Sequence, residues 1–382
     1  MSLLLSSGGN DPIGSCRQFV QPPFDANINW LALSGQDVAR ASYPSLSPFF
    51  PVGSMAATQR TILSNVPASN YGATNGTLFV IPGTAGTSAI QTSPDGITWT
   101  NRTTPSCTVI GIIWTGTRFL AATTTGVIYS PDGVTWTATT SAPSGLVVGQ
   151  QTLAYSSSLG MTVCLGSNIS ITSIYTLLDA STTWVMQTCP SFNQLGVCWT
   201  GSAFLVSPSP SGGALGSSIL SSTNGTSWNV SYPGTYTGTS GTVNIPIISN
   251  GFGVVVMQDI SAKNTSVWVS TNNGVNWQSI KLPLGSSTSP LSSAVYENGR
   301  FILCFGSAKT IAYSTDGLHW TVDPVCSNSG AQFSNAGGII YMGGLYFVWD
   351  TNGYNITVVE SATKFYLWMD DNNTYQNYIR AT

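Results

Sequence analysis

Apolar residues in this chain come in short alternating runs and not at helical spacing. Val109, Ile110, Ile112 and Ile113 lead to Trp114; a Thr115-Gly116 turn follows, then Phe119-Leu120-Ala121-Ala122, a second turn, and Gly126-Val127-Ile128-Tyr129. Runs of this length, rich in β-branched and aromatic residues and broken at Gly, read as strands. The last run flows into Ser130-Pro131-Asp132-Gly133-Val134-Thr135-Trp136. There Ser and Asp can hold backbone N–H groups while Gly takes the left-handed corner. The prediction is four antiparallel strands in one up-and-down unit, with Trp on the buried face of the returning strand.

The unit repeats. Ser93, Asp95, Gly96 and Trp99 stand in the same order, as do Ser222, Asn224, Gly225 and Trp228, and again Ser314, Asp316, Gly317 and Trp320. Ser270, Asn272, Gly274 and Trp277 carry the phrase with one residue inserted, and Asp179 to Trp184 is a worn copy. The six tryptophans recur at intervals of 37 to 49 residues, the period of one supersecondary unit repeated around an axis. A seventh unit begins near Gly337 with Ile339-Ile340-Tyr341, a Gly343-Gly344 turn and Leu345-Tyr346-Phe347-Val348-Trp349, but lacks the Asp-Gly phrase. The expected fold is all-β, a β-propeller of about seven four-stranded blades, with six blades and a separate cap as the alternative. Ring closure removes the sheet edges an open array would expose. Six copies of the phrase cannot all be one active site, so its Ser and Asp or Asn residues are read as turn locks and its tryptophans as packing anchors.

The flanks break the pattern. Residues 1–25 read as an extended arm. Residues 26–67 contain a strand at Trp30, Leu31 and Leu33 that turns at Ser34-Gly35, and Val38 to Phe50 reads as a short amphipathic helix. The propeller is expected over 68–362. Residues 363–382 hold Phe365-Tyr366-Leu367-Trp368, the acidic pair Asp370 and Asp371, and Tyr378-Ile379-Arg380-Ala381. With 7% charged residues and a net charge of −3, the chain has no basic stripe to suit nucleic acid. No apolar run approaches a membrane span, so no membrane insertion is expected, and residues 1–7 are too short and uncharged for a signal peptide. The seven cysteines show no C-x-x-C spacing and read as small buried hydrophobes. Asp370 and Asp371 read as a solvated turn, so neither a metal nor a cofactor is expected.

Two resemblances add to this reading. The repeated phrase resembles the Asp-box of sialidase-like and photosystem II assembly factor-like propellers, S-x-D-x-G-x-T-W, mostly in a form one residue shorter. Trp30-Leu31-Ala32-Leu33-Ser34-Gly35, then Arg40-Ala41-Ser42-Tyr43-Pro44-Ser45-Leu46 and Pro51-Val52-Gly53, is similar to the collar-type segment of bacteriophage tail fibres. In that segment an F-x-L-P strand follows. Here F-x-L returns only at Phe365-Tyr366-Leu367, with Trp368 in place of Pro, and Tyr378-Ile379-Arg380-Ala381 is similar to the Y-I-K-A ending of such fibres. The resemblance implies a small base formed by the N- and C-terminal segments and split by an inserted propeller. It further implies a virion tail-fibre or appendage protein made in the host cytoplasm, a homotrimer contacting other tail proteins and a host surface glycan or envelope receptor. A purely structural virion part is the alternative.

A sialidase-type enzyme is the second alternative. It needs clustered arginines and a Tyr–Glu pair, yet the propeller region offers only Arg102, Arg118 and Arg300, and the chain only Glu297 and Glu360. Asp95, Asp132 and Asp316 are committed to turns, and His319, the single histidine, reads as a turn residue beside Trp320. No enzyme is therefore expected. Small-residue insertions at 139–150, 207–218 and 231–244 suit recognition loops, and Tyr232 and Tyr236 are the candidates for stacking on sugar rings.

Overall fold

The computed structural model describes residues 71–146, 151–166, 173–190, 194–208, 218–232, 246–259, 266–284, 291–305, 310–323, 336–343 and 345–350. It also describes the backbone of seven flanking strands: Cys16–Phe19, Trp30–Ala32, Ser34–Ala39, Met55–Gln59, Asn355–Glu360, Lys364–Met369 and Gln376–Arg380. No helix occurs among the described residues.

Among the described residues seven four-stranded antiparallel sheets make up the body. The second blade shows the pattern: Val109–Trp114, Phe119–Thr123, Gly126–Ser130 and Thr137–Ala138, each hydrogen-bonded to the next. The first strands of successive blades lie side by side around an axis. The seventh blade's first strand, Ala336–Met342, meets that of the first blade, Ala73–Thr74, and closes the ring. Seven blades, and not the six-bladed alternative, are therefore present.

The seventh blade is assembled from both ends of the chain. Ala336–Met342, Leu345–Asp350 and Asn355–Glu360 are joined by Met55–Gln59, with Met55 opposite Glu360 and Gln59 opposite Ile356. Met55–Gln59 falls in the stretch expected to form the base, so the sequence boundary at residue 68 is corrected. Its Met-Ala-Ala-Thr-Gln sequence carries none of the repeat's marks; only the need to cover an open sheet edge assigns it. Ser34–Ala39 also departs from expectation. Val38 and Ala39 lie in a strand paired with Lys364–Met369, Val38 opposite Phe365 and Gln36 opposite Leu367, not in a helix. A short segment takes the period of its partner, and that partner is more than 300 residues away in sequence. The remainder of the expected helix, residues 40–50, lies outside the described residues. Gln376–Arg380 runs between Cys16–Phe19 and Trp30–Ala32, placing Leu31 opposite Ile379.

This topology sorts the connections onto two ends of the ring. Strands alternate in direction within a blade, so the first-to-second turns and the Asp-Gly turns leave one end, called here the turn end. Second-to-third and inter-blade connections leave the other, the loop end. Met55 and Glu360 are the turn-end termini of the seventh blade. Where the other blades carry a third-to-fourth turn, this blade has the chain's way in and way out. That is the physical reason it lacks the repeated phrase.

Candidate functional site

The repeated phrase builds its turn identically in blade after blade. The Ser130 hydroxyl accepts from the Gly133 N–H at 2.8 Å and donates to Asp132 Oδ1 at 2.9 Å. The same Oδ1 accepts from the N–H groups of Val134 and Thr135 at 2.8 and 2.9 Å. Asn224 repeats this with Thr226 and Ser227 at 3.0 and 2.9 Å. In the copy with an insertion, Asn273 absorbs the extra residue at φ 60°, and the Ser270 and Asn272 bonds each span one residue more. Asp95 and Asp132 are held below the usual carboxylate range by the backbone N–H groups they accept from, Thr98 and Ile97, and Thr135 and Val134. For Asp316, burial opposes ionisation, but the N–H and ring of His319, the Leu318 N–H and Ser314 outweigh it and hold the carboxyl at about 2.

Each tryptophan of the phrase is the residue just before its blade's outer strand rather than a member of it. In four copies the indole N–H folds back to the glycine carbonyl three residues earlier: Trp136, Trp228, Trp277 and Trp320 donate at 2.8–3.1 Å. The ring then fills the seam to the preceding blade. Trp136 packs with Val80 and Ile90 of the first blade, Trp228 with Ala154 and Val163 of the third, and Trp320 with Ile248 and Val256 of the fifth. Gly133 has φ 75°, and a Cβ there would lie 2.8 Å from Leu78 of that same preceding blade, so the position needs glycine on two counts. The acids of the phrase thus lie on the outer turns, one per blade, and converge on nothing.

The worn copy has been put to another use. Asp179 accepts from the Tyr155 hydroxyl at 2.8 Å, and burial, followed by the Asp179 charge, pushes that phenol up to about 12. The Trp184 indole donates to Thr139 of the neighbouring blade at 2.9 Å. His319 is exposed and contacts Asp316 at 2.7 Å. Arg102 donates from Nε to Thr92 at 2.7 Å, while Arg118 donates to the Leu178 carbonyl at 3.2 Å and lies 5.6 Å from the centre of the Tyr129 ring. Neither these two nor Arg300 lines the axial cavity, so the arginine cluster of a sialidase-type site is not assembled there. Among the described residues no group of His, Cys, Asp or Glu could hold a metal ion. Cys107, Cys164, Cys189, Cys198 and Cys304 are buried free thiols. Among the described residues no helix is long and apolar enough to cross a membrane.

What the residues do bring together is a cavity of about 540 Å³ on the ring axis, lined by the first strands of six blades. Trp114, Tyr155, Trp199 and Tyr296 stand at the turn end of those strands, all half-buried, with Glu297 beside Tyr296. Three of the rings are braced from behind by an aromatic residue at the start of the next strand. Trp114 lies 4.5 Å from Phe119, Trp199 4.7 Å from Phe204 and Tyr296 4.8 Å from Phe301, as tilted pairs. Burial pushes the Glu297 carboxyl up to about 7. Toward the loop end the strands are tied together: Val197 N–H donates to the Gln151 carbonyl at 3.0 Å, and Ile247 N–H to the Gln151 side chain at 3.2 Å. Thr152, next to Gln151, is 2% exposed and its hydroxyl has no hydrogen-bond partner.

Of the two tyrosines singled out from sequence, the structure describes the backbone of one. Tyr232 ends the outer strand Asn229–Tyr232 of the fourth blade at the loop end, with its backbone opposite Ile219; Tyr236 lies outside the described residues. Aromatic residues one or two places before a Gly turn were the available sign of the cavity ring. Nothing in one blade's sequence says that the corresponding positions of other blades face the same space.

The sequence matches no protein-family model and no curated protein. Solved structures do match in fold. A streptogramin B lyase superposes with a TM-score of 0.61 at 10% identity, over 80% of this chain and 98% of that one. YCF48 bound to a D1 peptide matches with a TM-score of 0.56 at 14% identity, over 82% of this chain and 99% of that one. A catalytically inactive virginiamycin B lyase from Staphylococcus aureus gives a TM-score of 0.59 at 10% identity, over 80% and 99%. At such identities the likeness is one of fold, a β-propeller ring.

Proposed function

We propose that this chain is a phage virion protein, a tail-fibre or related appendage component that presents its propeller for attachment to a host surface glycan and cleaves nothing. The observation that carries this reading is the way the ring is joined to the rest of the chain. Both connections leave the turn end of a single blade, and the segments beyond them pair with each other, Ser34–Ala39 with Lys364–Met369 and Trp30–Ala32 with Gln376–Arg380. A rigid propeller hung in this way from paired termini suits a display role. The paired segments are also the ones that resemble the collar-type part of tail fibres. The loop end, opposite these connections, carries the Ser- and Gly-rich stretches 139–150, 207–218 and 231–244, and it is the face we assign to the host.

Collar-like segments sit in symmetric fibres, so the assembled protein is a homotrimer in this reading. Multiplicity has a physical use. A single sugar site of millimolar affinity is worth only about 4 kcal/mol, and linked copies raise the overall strength by about 10²–10⁴ with no new contact. With 7% charged residues, attachment rests on stacking and neutral hydrogen bonds, and so changes little with ionic strength. The test is adsorption of the purified oligomer to host cells across roughly 50–500 mM salt. Saturable, salt-tolerant adsorption is expected. Absence of adsorption at every salt concentration would instead favour a structural virion component, and release of reducing sugar from host polysaccharide would make the protein an enzyme.

A further inference from the structure

The axial cavity holds a combination that the attachment reading does not use. Its turn end presents four aromatic rings from four different blades and one carboxyl group, Glu297. Among the described residues no lysine, arginine or histidine lines it, and the Glu297 carboxyl has no hydrogen bond or ion pair to another described residue. A carboxyl taken out of water without a cationic partner is costly, and the faces of Trp and Tyr rings attract cations. Both features call for the same thing, a positive charge from outside the protein.

The cavity falls within the range of small-molecule sites, about 300–1,000 Å³.

We propose that the axial cavity is a binding site for a small amino sugar, with its ammonium group held at Glu297 among Trp114, Tyr155, Trp199 and Tyr296. An acidic sugar is excluded by the same lining, since it would set one carboxylate against another with no cation between them. The bracing of Trp114, Trp199 and Tyr296 by Phe119, Phe204 and Phe301 fixes the rings before the ligand arrives, which lowers the ordering cost of binding. The site is distinct from the loop face assigned to host attachment and does not depend on that assignment.

The experiment is calorimetric titration of the full chain at pH 7.5 with three probes: the glucosamine disaccharide, its N,N′-diacetyl form and cellobiose. The glucosamine disaccharide is expected to bind about tenfold or more tighter than the other two, the worth of one charged hydrogen-bonded contact. Glu297→Gln is expected to abolish that preference without lowering the melting temperature, because it keeps the side chain's shape and removes a buried charge. Affinity should fall as the pH is lowered through about 7, where Glu297 takes up its proton. The other charged groups near the two sides of the site are Arg300, opposite Glu297 in its strand pair, and Asp179 and Arg118 near Tyr155. The Tyr155 phenol stays protonated across that range. Equal binding of the acetylated and free disaccharides, unchanged binding by Glu297→Gln, or no saturable binding of any probe would each overturn the proposal. Adsorption to cells is not the measure here, so failure of one reading leaves the other standing.

Discussion

Replacing Asp132 with Asn and with Ala separates what the repeated phrase does from what its acids resemble. Asp132 Oδ1 accepts three hydrogen bonds, from Val134 N–H, Thr135 N–H and the Ser130 hydroxyl, all at 2.8–2.9 Å. The two N–H groups lie at an exposed turn, so in the Ala variant water takes over their bonding and each loss falls at the low end, about 0.5 kcal/mol. Three such bonds give about 1–1.5 kcal/mol for Asp132→Ala. Asp132→Asn should cost about 0.5 kcal/mol or less, because the protein already runs that substitution elsewhere: Asn224 Oδ1 accepts the equivalent bonds from Thr226, Ser227 and Ser222 at 2.9–3.1 Å. Urea unfolding of the full chain at pH 7 measures both, the shift in midpoint being read at constant slope. An Asn variant as unstable as the Ala variant would refute the argument, since it would make the charge, and not the geometry of one acceptor oxygen, the quantity selected at this turn.

Three further outcomes follow from the same geometry. Trp136→Ala should destabilise by about 3–5 kcal/mol, far more than Asp132→Ala, because the indole fills the seam to the first blade; near-equal midpoints for the two variants would contradict the packing role. Gly338→Ala should lower stability by about 1–3 kcal/mol, since its Cβ would lie 2.1 Å from the rigid Trp349 ring; thermal unfolding that left the melting temperature unchanged would refute it. Acid should weaken the blades that carry Asp95, Asp132 and Asp316. Their folded pKa values are depressed, so their stabilisation is complete above the ordinary 3.8 and is lost as pH falls through the folded values, about 2 for Asp316. Asp316→Asn should remove that blade's share of the loss between pH 4 and 2, read as a smaller drop in melting temperature over that interval.

The sequence by itself determined everything that a blade can state within its own 40 or so residues. Strand alternation, the Gly corners and the Ser/Asp turn lock are local, with partners two to four positions apart, so they repeat legibly and give the fold class, the strands of the second blade and the blade count. Tertiary structure decided whatever depends on a partner distant in sequence. Met55–Gln59 has no mark of its own and joins the ring only because the seventh sheet offers it an open edge. Val38 is extended because Phe365 lies opposite. The same holds for the cavity: Trp114, Trp199, Tyr296 and Glu297 are unremarkable within their own blades, and they share one space only because seven first strands close around an axis. Local hydrogen bonding leaves its signature in adjacent residues, whereas ring closure is a property of the sum of the blades and is written in none of them.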